Sequence, residues 1–149
     1  MEAEIDMKRL TASFRLLTST LAMSLAAPAW AQSAPALSLE LNAAQPSEKG
    51  CRLTFVVNNA LGADLSKAAF EIALFNQAGV VDRLTVLDFK DLPAGKTKVT
   101  RFDLAGADCG KLSRVLINSA TECAGTGVEP AACMRALKTS TKTAIAFGV

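Results

Sequence analysis

Histidine and tyrosine are absent from the 149-residue chain, and Trp30 is its one tryptophan. Without histidine, no Ser-His-acid or Cys-His arrangement can form within one chain, and no imidazole can carry a proton near neutral pH. Hydrolases that depend on such groups are excluded. Cys-x-x-Cys is also missing, which argues against thiol oxidoreductase work and against the short ligand pairs usual for structural zinc. Gly106, Gly110, Gly125 and Gly127 lack the Gly-x-Gly-x-x-Gly order, the Walker lysine and the following helix that would make a phosphate cradle. A formal charge of +2 leaves no basic excess for nucleic acid.

What is present begins with an export signal. Lys8, Arg9 and Arg15 flank an apolar stretch from Leu16 to Ala27, which ends in Ala29-Trp30-Ala31. Charge, a short apolar run and small residues at the two positions read by a signal peptidase follow one another in secretory order. Residues 1–31 are expected to be removed, leaving Gln32 first. Met7 is an alternative translation start that would drop Glu2, Glu4 and Asp6 from the amino-terminal region. Thr18, Ser19, Thr20 and Ser24 interrupt the apolar run, which is shorter and weaker than the roughly 20 residues that cross a bilayer. No stable membrane anchor is expected. Lys8-Arg9 is not an Arg-Arg pair, so general secretion is favoured over the twin-arginine route. The destination is the periplasm.

Removal of that segment takes away as many acids as bases and the only tryptophan, so the remainder keeps its +2 charge and has no indole to stack on sugar or base. Its length fits one domain. Met134 is its one methionine, which, with no histidine, disfavours a copper carrier.

All four cysteines, Cys51, Cys109, Cys123 and Cys133, lie in this remainder. Export delivers them to a compartment where disulfides persist. Three pairings are possible. Cys51–Cys109 with Cys123–Cys133 is favoured, because Gly125, Gly127 and Pro130 allow the short segment between the last two to bend back on itself. No metal site and no cofactor are implied.

Residues 32–36 read as a flexible leader. Across residues 37–149, apolar and polar positions alternate with the period of half-buried strands. Leu37, Leu39 and Leu41 alternate with Ser38, Glu40 and Asn42, before a turn at Pro46–Gly50. From Cys51 to Asn58, Cys51, Leu53, Phe55 and Val57 share a face. Phe70, Ile72 and Leu74 do so in the next strand, and after the turn Asn76–Gly79 the pattern resumes from Val80 to Leu87, giving two neighbouring antiparallel strands. Asp91–Lys96 supplies another turn, followed by a strand from Thr97 to Leu104. Leu112 to Asn118 carries Val115 and Ile117 on one face. Glu129 to Leu137 is expected to contain one or two short helical turns, and Thr143 to Val149 a closing strand. Seven short strands with polar turns and no helical faces between them predict an all-β, immunoglobulin-like β-sandwich with two disulfides, with a small barrel as the competing architecture. Phe55, Phe70 and Phe102 are expected in its core.

The run Phe70–Val81, then Leu92-Pro93-Ala94-Gly95-Lys96-Thr97 and Phe102-Asp103-Leu104, resembles the FxLYD-type immunoglobulin-like modules of bacterial envelope proteins. Ile72, Leu74, Phe75, Asn76 and Gly79 match, as do Leu92, Pro93, Gly95 and Phe102, with Phe75 and Asn76 standing where those modules carry Tyr and Asp. The whole chain is also similar to small exported proteins of alphaproteobacteria. Neither resemblance implies a catalytic residue.

Two carboxylate clusters, Asp88 with Asp91 and Asp103 with Asp108, border turns beside lysines and read as solvated caps. No enzyme is expected. Surface binding remains, and two loops are candidates for it: the turn carrying Lys90, Leu92 and Lys96, and the bridged loop carrying Val128 and Glu129. The expected function is a non-catalytic periplasmic interaction or accessory domain whose partner is an envelope protein, with a small-ligand or lipid-binding module as the alternative. Oligomeric state is left open.

Overall fold

A computed structural model describes residues 33–149. The expected signal segment, residues 1–31, and Gln32 of the leader lie outside them. Regular structure begins at Ala36, one residue before the expected boundary.

The alternating residues form eight strands: β1 (Ala36–Ser47), β2 (Gly50–Ala60), β3 (Leu65–Asn76), β4 (Val81–Leu92), β5 (Thr97–Ala105), β6 (Leu112–Ala124), β7 (Leu137–Thr141) and β8 (Ala146–Gly148). A 3-10 turn, Cys109–Lys111, precedes β6, and one short helix, α1 (Ala132–Arg135), precedes β7. The strands make two four-stranded sheets, ordered β5-β2-β1-β7 and β4-β3-β6-β8. The architecture is a β-sandwich in two separate sheets and not a small barrel.

Register follows from the apolar faces. Leu39 pairs with Val57 and Leu41 with Phe55 between β1 and β2, while Leu53 pairs with Phe102 between β2 and β5. In the second sheet Phe70 lies opposite Leu87, and Ile72 opposite Ile117. A one-residue slip would turn each of these rows to water, which is why burial specifies the pairing. Between the layers, Phe55 of the first sheet meets Phe89 and Phe147 of the second at ring-centroid distances of 5.6 and 5.4 Å. Phe70 and Phe102 each pack edge-on to Phe89, at 5.9 and 5.0 Å. Such pairs contribute about 0.5–1.5 kcal/mol each beyond their burial. Phenylalanine rings fill the interlayer space, as expected for Phe55, Phe70 and Phe102, joined by Phe89 and Phe147.

Several boundaries differ from the expected ones, each for a local reason. β4 runs on to Leu92 because Lys90, at φ 62°, makes a β-bulge whose N–H donates to Asp88 Oδ1 at 2.9 Å. The bulge shifts the alternation so that Phe89 and Leu92 both point inward. Pro46 belongs to β1, past Leu41 where pairing with β7 ends, so its missing N–H is tolerated. β7 was not expected: it has only Leu137 as an apolar residue, and its form comes from parallel pairing with β1. The closing strand is reduced to β8, which pairs parallel to β6.

Both disulfides have the favoured pairing, Cys51–Cys109 and Cys123–Cys133. The first ties the start of β2 to the 3-10 turn before β6. The second ties the end of β6 to α1, at the opposite end of the sandwich. No helix of the described residues is long and apolar enough to cross a membrane.

Candidate functional site at the stapled end

The end of the sandwich bearing Cys123–Cys133 is built around one buried polar side chain. β2 finishes at Asn58-Asn59-Ala60, and Asn59 is 1% exposed. Its amide Nδ2 donates to the carbonyls of Leu92 at 2.7 Å and Ala63 at 2.9 Å, and its Oδ1 accepts from the Leu61 N–H at 3.0 Å. The Asn59 carbonyl accepts from the Gly95 N–H at 2.7 Å. A buried amide with its donors and acceptor all engaged avoids the cost of burial and fixes the segments it touches. Asn59 thereby ties the β2–β3 connection to the end of β4 and to the turn after it.

Asp64 extends this frame. Its Oδ1 accepts from the Ala94 N–H at 2.7 Å, which locks the β2–β3 connection to the Pro93–Lys96 turn. On its other side the Asp64 carbonyl lies so close to Gly125 that a Cβ there would overlap it. Ser66 Oγ donates to the Ala124 carbonyl at 3.2 Å. Three chain segments far apart in sequence therefore meet at one end.

The bridged loop is a series of tight turns. Val128 N–H donates to the Gly125 carbonyl at 3.1 Å, and Ala132 N–H to the Glu129 carbonyl at 2.9 Å. Gly127, at φ 73°, occupies a conformation that side-chain-bearing residues rarely adopt. Cys133 is fully buried and Cys123 nearly so, so the sulfur link holds α1 against the core. The result is an open groove of about 510 Å³, walled by Leu61, Ala63, Val128 and Ala132 and rimmed by Glu129 and Arg135. The rim residues form an exposed ion pair, Arg135 Nη2 to Glu129 Oε2 at 2.6 Å. The hydrogen bond from Arg135, aided by its charge, holds the Glu129 carboxyl below its ordinary pKa. Ala63 also borders a second groove of about 490 Å³, between Asp64, Asp91, Pro93 and Thr126.

No protein-family model matches the sequence, and no curated protein matches it. Among solved structures the chain is similar to the trimeric lipoprotein SadB of Salmonella enterica, at 18% identity and a TM-score of 0.41. That alignment covers 47% of this chain and 40% of the lipoprotein's.

Of the five loop residues singled out in the sequence, Lys96, Val128 and Glu129 come to this end of the fold. Leu92 does not offer a contact surface: it is 2% exposed and belongs to the core, because the bulge at Lys90 turns it inward. Lys90 sits in that bulge and bonds Asp88 Oδ2 at 2.7 Å. The expected Asp91–Lys96 turn forms a crossing between layers, since β4 and β5 belong to different sheets. Asn59, Asp64 and Arg135 went unmarked in the sequence. Asn59 and Asp64 have no motif around them, and nothing in the spacing of Arg135 from Glu129 announces an ion pair.

The carboxylate clusters are dispersed into pairs with cations. Arg52 donates from Nε and Nη2 to the two oxygens of Asp103 at 3.0 and 3.1 Å, and Lys98 Nζ lies 3.3 Å from Asp91 Oδ1. Asp108 Oδ1 accepts from the Gly110 N–H at 2.9 Å and caps the 3-10 turn. Hydrogen bonds from Lys90 and Arg52 hold Asp88 and Asp103, respectively, below the usual carboxylate range. A general acid needs the opposite shift. Among the described residues no three His, Cys, Asp or Glu side chains group as a metal site.

Proposed function

We propose that this chain is a non-catalytic interaction or accessory domain of the bacterial cell envelope, exported to the periplasm by residues 1–31, whose stapled end contacts an envelope protein. The observation that carries the reading is the construction of that end. Asn59, Asp64 and the Cys123–Cys133 link hold three connections in one arrangement around an open groove. A surface fixed before contact loses less conformational entropy on binding. The fold is immunoglobulin-like on this proposal. Support comes from β2 lying between β1 and β5 and β3 between β4 and β6, with the consecutive strands β2 and β3 in opposite layers. The resemblance to FxLYD-type modules and to small exported proteins of alphaproteobacteria points the same way.

Capture from a periplasmic extract tests the proposal, comparing the exported domain with a variant carrying Val128→Asp and Glu129→Lys. An envelope protein enriched by the first and lost with the second is expected. The groove, whose volume lies within the range of small-ligand sites, favours the second reading of a small-ligand or lipid-binding module. If no protein is enriched and native mass spectrometry finds a small molecule in the purified domain, the interaction reading fails and the ligand reading takes its place.

A further inference from the structure

The second sheet carries an apolar row on its outer face, with exposed residues on β4 and with Ala73, 5% exposed, at the centre of the row. Its inward residues on β3 are Phe70, Ile72 and Leu74, so Glu71, Ala73 and Phe75 point outward. Register then places neighbours on the same side. Leu84 and Leu116 flank Ala73, Val86 and Ser119 flank Glu71, and Val81 and Arg114 flank Phe75. Leu84 is 56% exposed, Val86 51% and Val81 47%. Gly148, beside Leu116 on β8, adds no side chain to that side of the row. Isolated exposed apolar residues are ordinary, but adjacent ones on a flat sheet mark a contact surface.

Two charges bracket this row. Glu71 lies on one side of it and Arg114 on the other, about 13 Å apart along the strands. Neither makes a salt bridge among the described residues. Glu71 accepts a hydrogen bond from Asn118 Nδ2 at 2.6 Å, and the Arg114 guanidinium sits 5.6 Å from the centroid of the Phe75 ring. The two side chains are too far apart to meet each other.

This pattern complements itself under a two-fold rotation. Consider an axis lying along the Leu84–Ala73–Leu116 row, across the strands, with a second copy packed face to face. Rotation lays Leu84, Ala73 and Leu116 over the same residues of the copy and sets Val81 over Val86. Arg114 comes to the level of the copy's Glu71, one strand spacing (about 4.8 Å) aside and within reach of its long side chain. The equivalent contact forms on the other side of the axis. A closed two-fold interface requires a patch that matches itself in this way, with an apolar centre and opposite charges placed symmetrically about it.

We propose that the outer face of the β4-β3-β6-β8 sheet is a homodimer interface, with a second copy of this chain as its occupant and two Glu71–Arg114 ion pairs as its register. The interface lies on the sheet face and is separate from the stapled end, so it stands whether or not that end binds a partner.

Sedimentation equilibrium of the protein purified after export tests this. The wild type is expected to be a concentration-dependent dimer. Leu84→Arg places two cations against each other on the axis and is expected to yield a monomer; because Leu84 is exposed, circular dichroism should show an unchanged fold. Glu71→Arg and Arg114→Glu are each expected to weaken the dimer about tenfold or more, and the double variant to recover most of that loss by restoring the pair in reverse. That recovery separates a charge-registered interface from loss of folding. A wild type that stays monomeric at every concentration, an association unchanged by Leu84→Arg, a closed assembly larger than a dimer, or a double variant no better than the singles would overturn the proposal. So would capture of a different protein through this face by a monomeric wild type.

Discussion

The two ends of the sandwich carry one disulfide each, and the links act on different parts of the structure. Cys51–Cys109 joins positions 58 residues apart, closing β2 to β5 into one loop through the 3-10 turn before β6. Cys123–Cys133 joins positions 10 apart and holds a surface loop and α1 to the end of β6. At the first end Gly106 N–H donates to the Lys49 carbonyl at 2.8 Å and a Cβ on Gly50 would overlap the Leu104 carbonyl, beside a polar groove of about 620 Å³ between Pro46, Lys49, Arg52 and Asp103. At the second end the loops stand apart around grooves and are fixed by Asn59 and Asp64. One link therefore stabilises the whole fold, and the other shapes a surface. In the chain-entropy picture, a longer closed loop restrains the unfolded chain more.

Removing the first link is the most severe way to break this comparison. Cys51→Ala with Cys109→Ala is expected to lower unfolding stability by about 4 kcal/mol, read as a lower urea midpoint with a steeper slope, since the unlinked unfolded chain exposes more surface. For a domain stabilised by about 5–15 kcal/mol in total, this approaches loss of folding.

Cys123→Ala with Cys133→Ala is expected to cost less, about 3 kcal/mol at most. Its signature is local. Amide exchange should accelerate in residues 124–136 while β2 and β3 keep their protection. Equal loss of protection in both sheets would show that the stapled end is part of the global folding unit, and the contrast between the two ends would collapse.

The smallest effect sharpens the comparison through charge. Asp103 near the first end and Glu129 at the second are both held below their ordinary pKa by an arginine, Arg52 and Arg135 respectively. A carboxyl with a lowered folded-state pKa contributes stability above its unfolded pKa and loses that contribution as pH falls through the folded value. Both contributions should therefore fade below about pH 4, and they should be small because the pairs are solvent-exposed. Asp103→Asn and Glu129→Gln are each expected to lower the neutral plateau of stability slightly and to leave the acid end unchanged, so that the acid limb flattens. Thermal melts across that range measure it.

Much of the fold was legible because burial on one face of a strand leaves a period of two in the sequence. Cys51, Leu53, Phe55 and Val57, and likewise Phe70, Ile72 and Leu74, declare which side faces inward. The disulfide pairing was legible from Gly125, Gly127 and Pro130 between the nearer cysteines. β7 was not, since Leu137-Lys138-Thr139-Ser140-Thr141 is a strand by virtue of its hydrogen bonds to β1, and backbone groups are alike in every residue but proline. Leu92 was misplaced because a bulge inserts one residue and reverses the phase of everything after it.

The candidate site divides in the same way. Val128 and Glu129 were visible as part of a bridged loop, whereas Asn59 became its anchor only once the ends of β2 and β4 met. The sequence by itself determined the alternating inward faces and a set of cysteines compatible with two links, because solvent exclusion acts on residues close together along a strand. Tertiary structure alone decided which loops share an end, that Asn59 is buried with its amide satisfied, and that Leu84, Ala73 and Leu116 line up across three strands. Those relations depend on strand order and register, which arise from contacts between distant segments and leave no local mark on the chain.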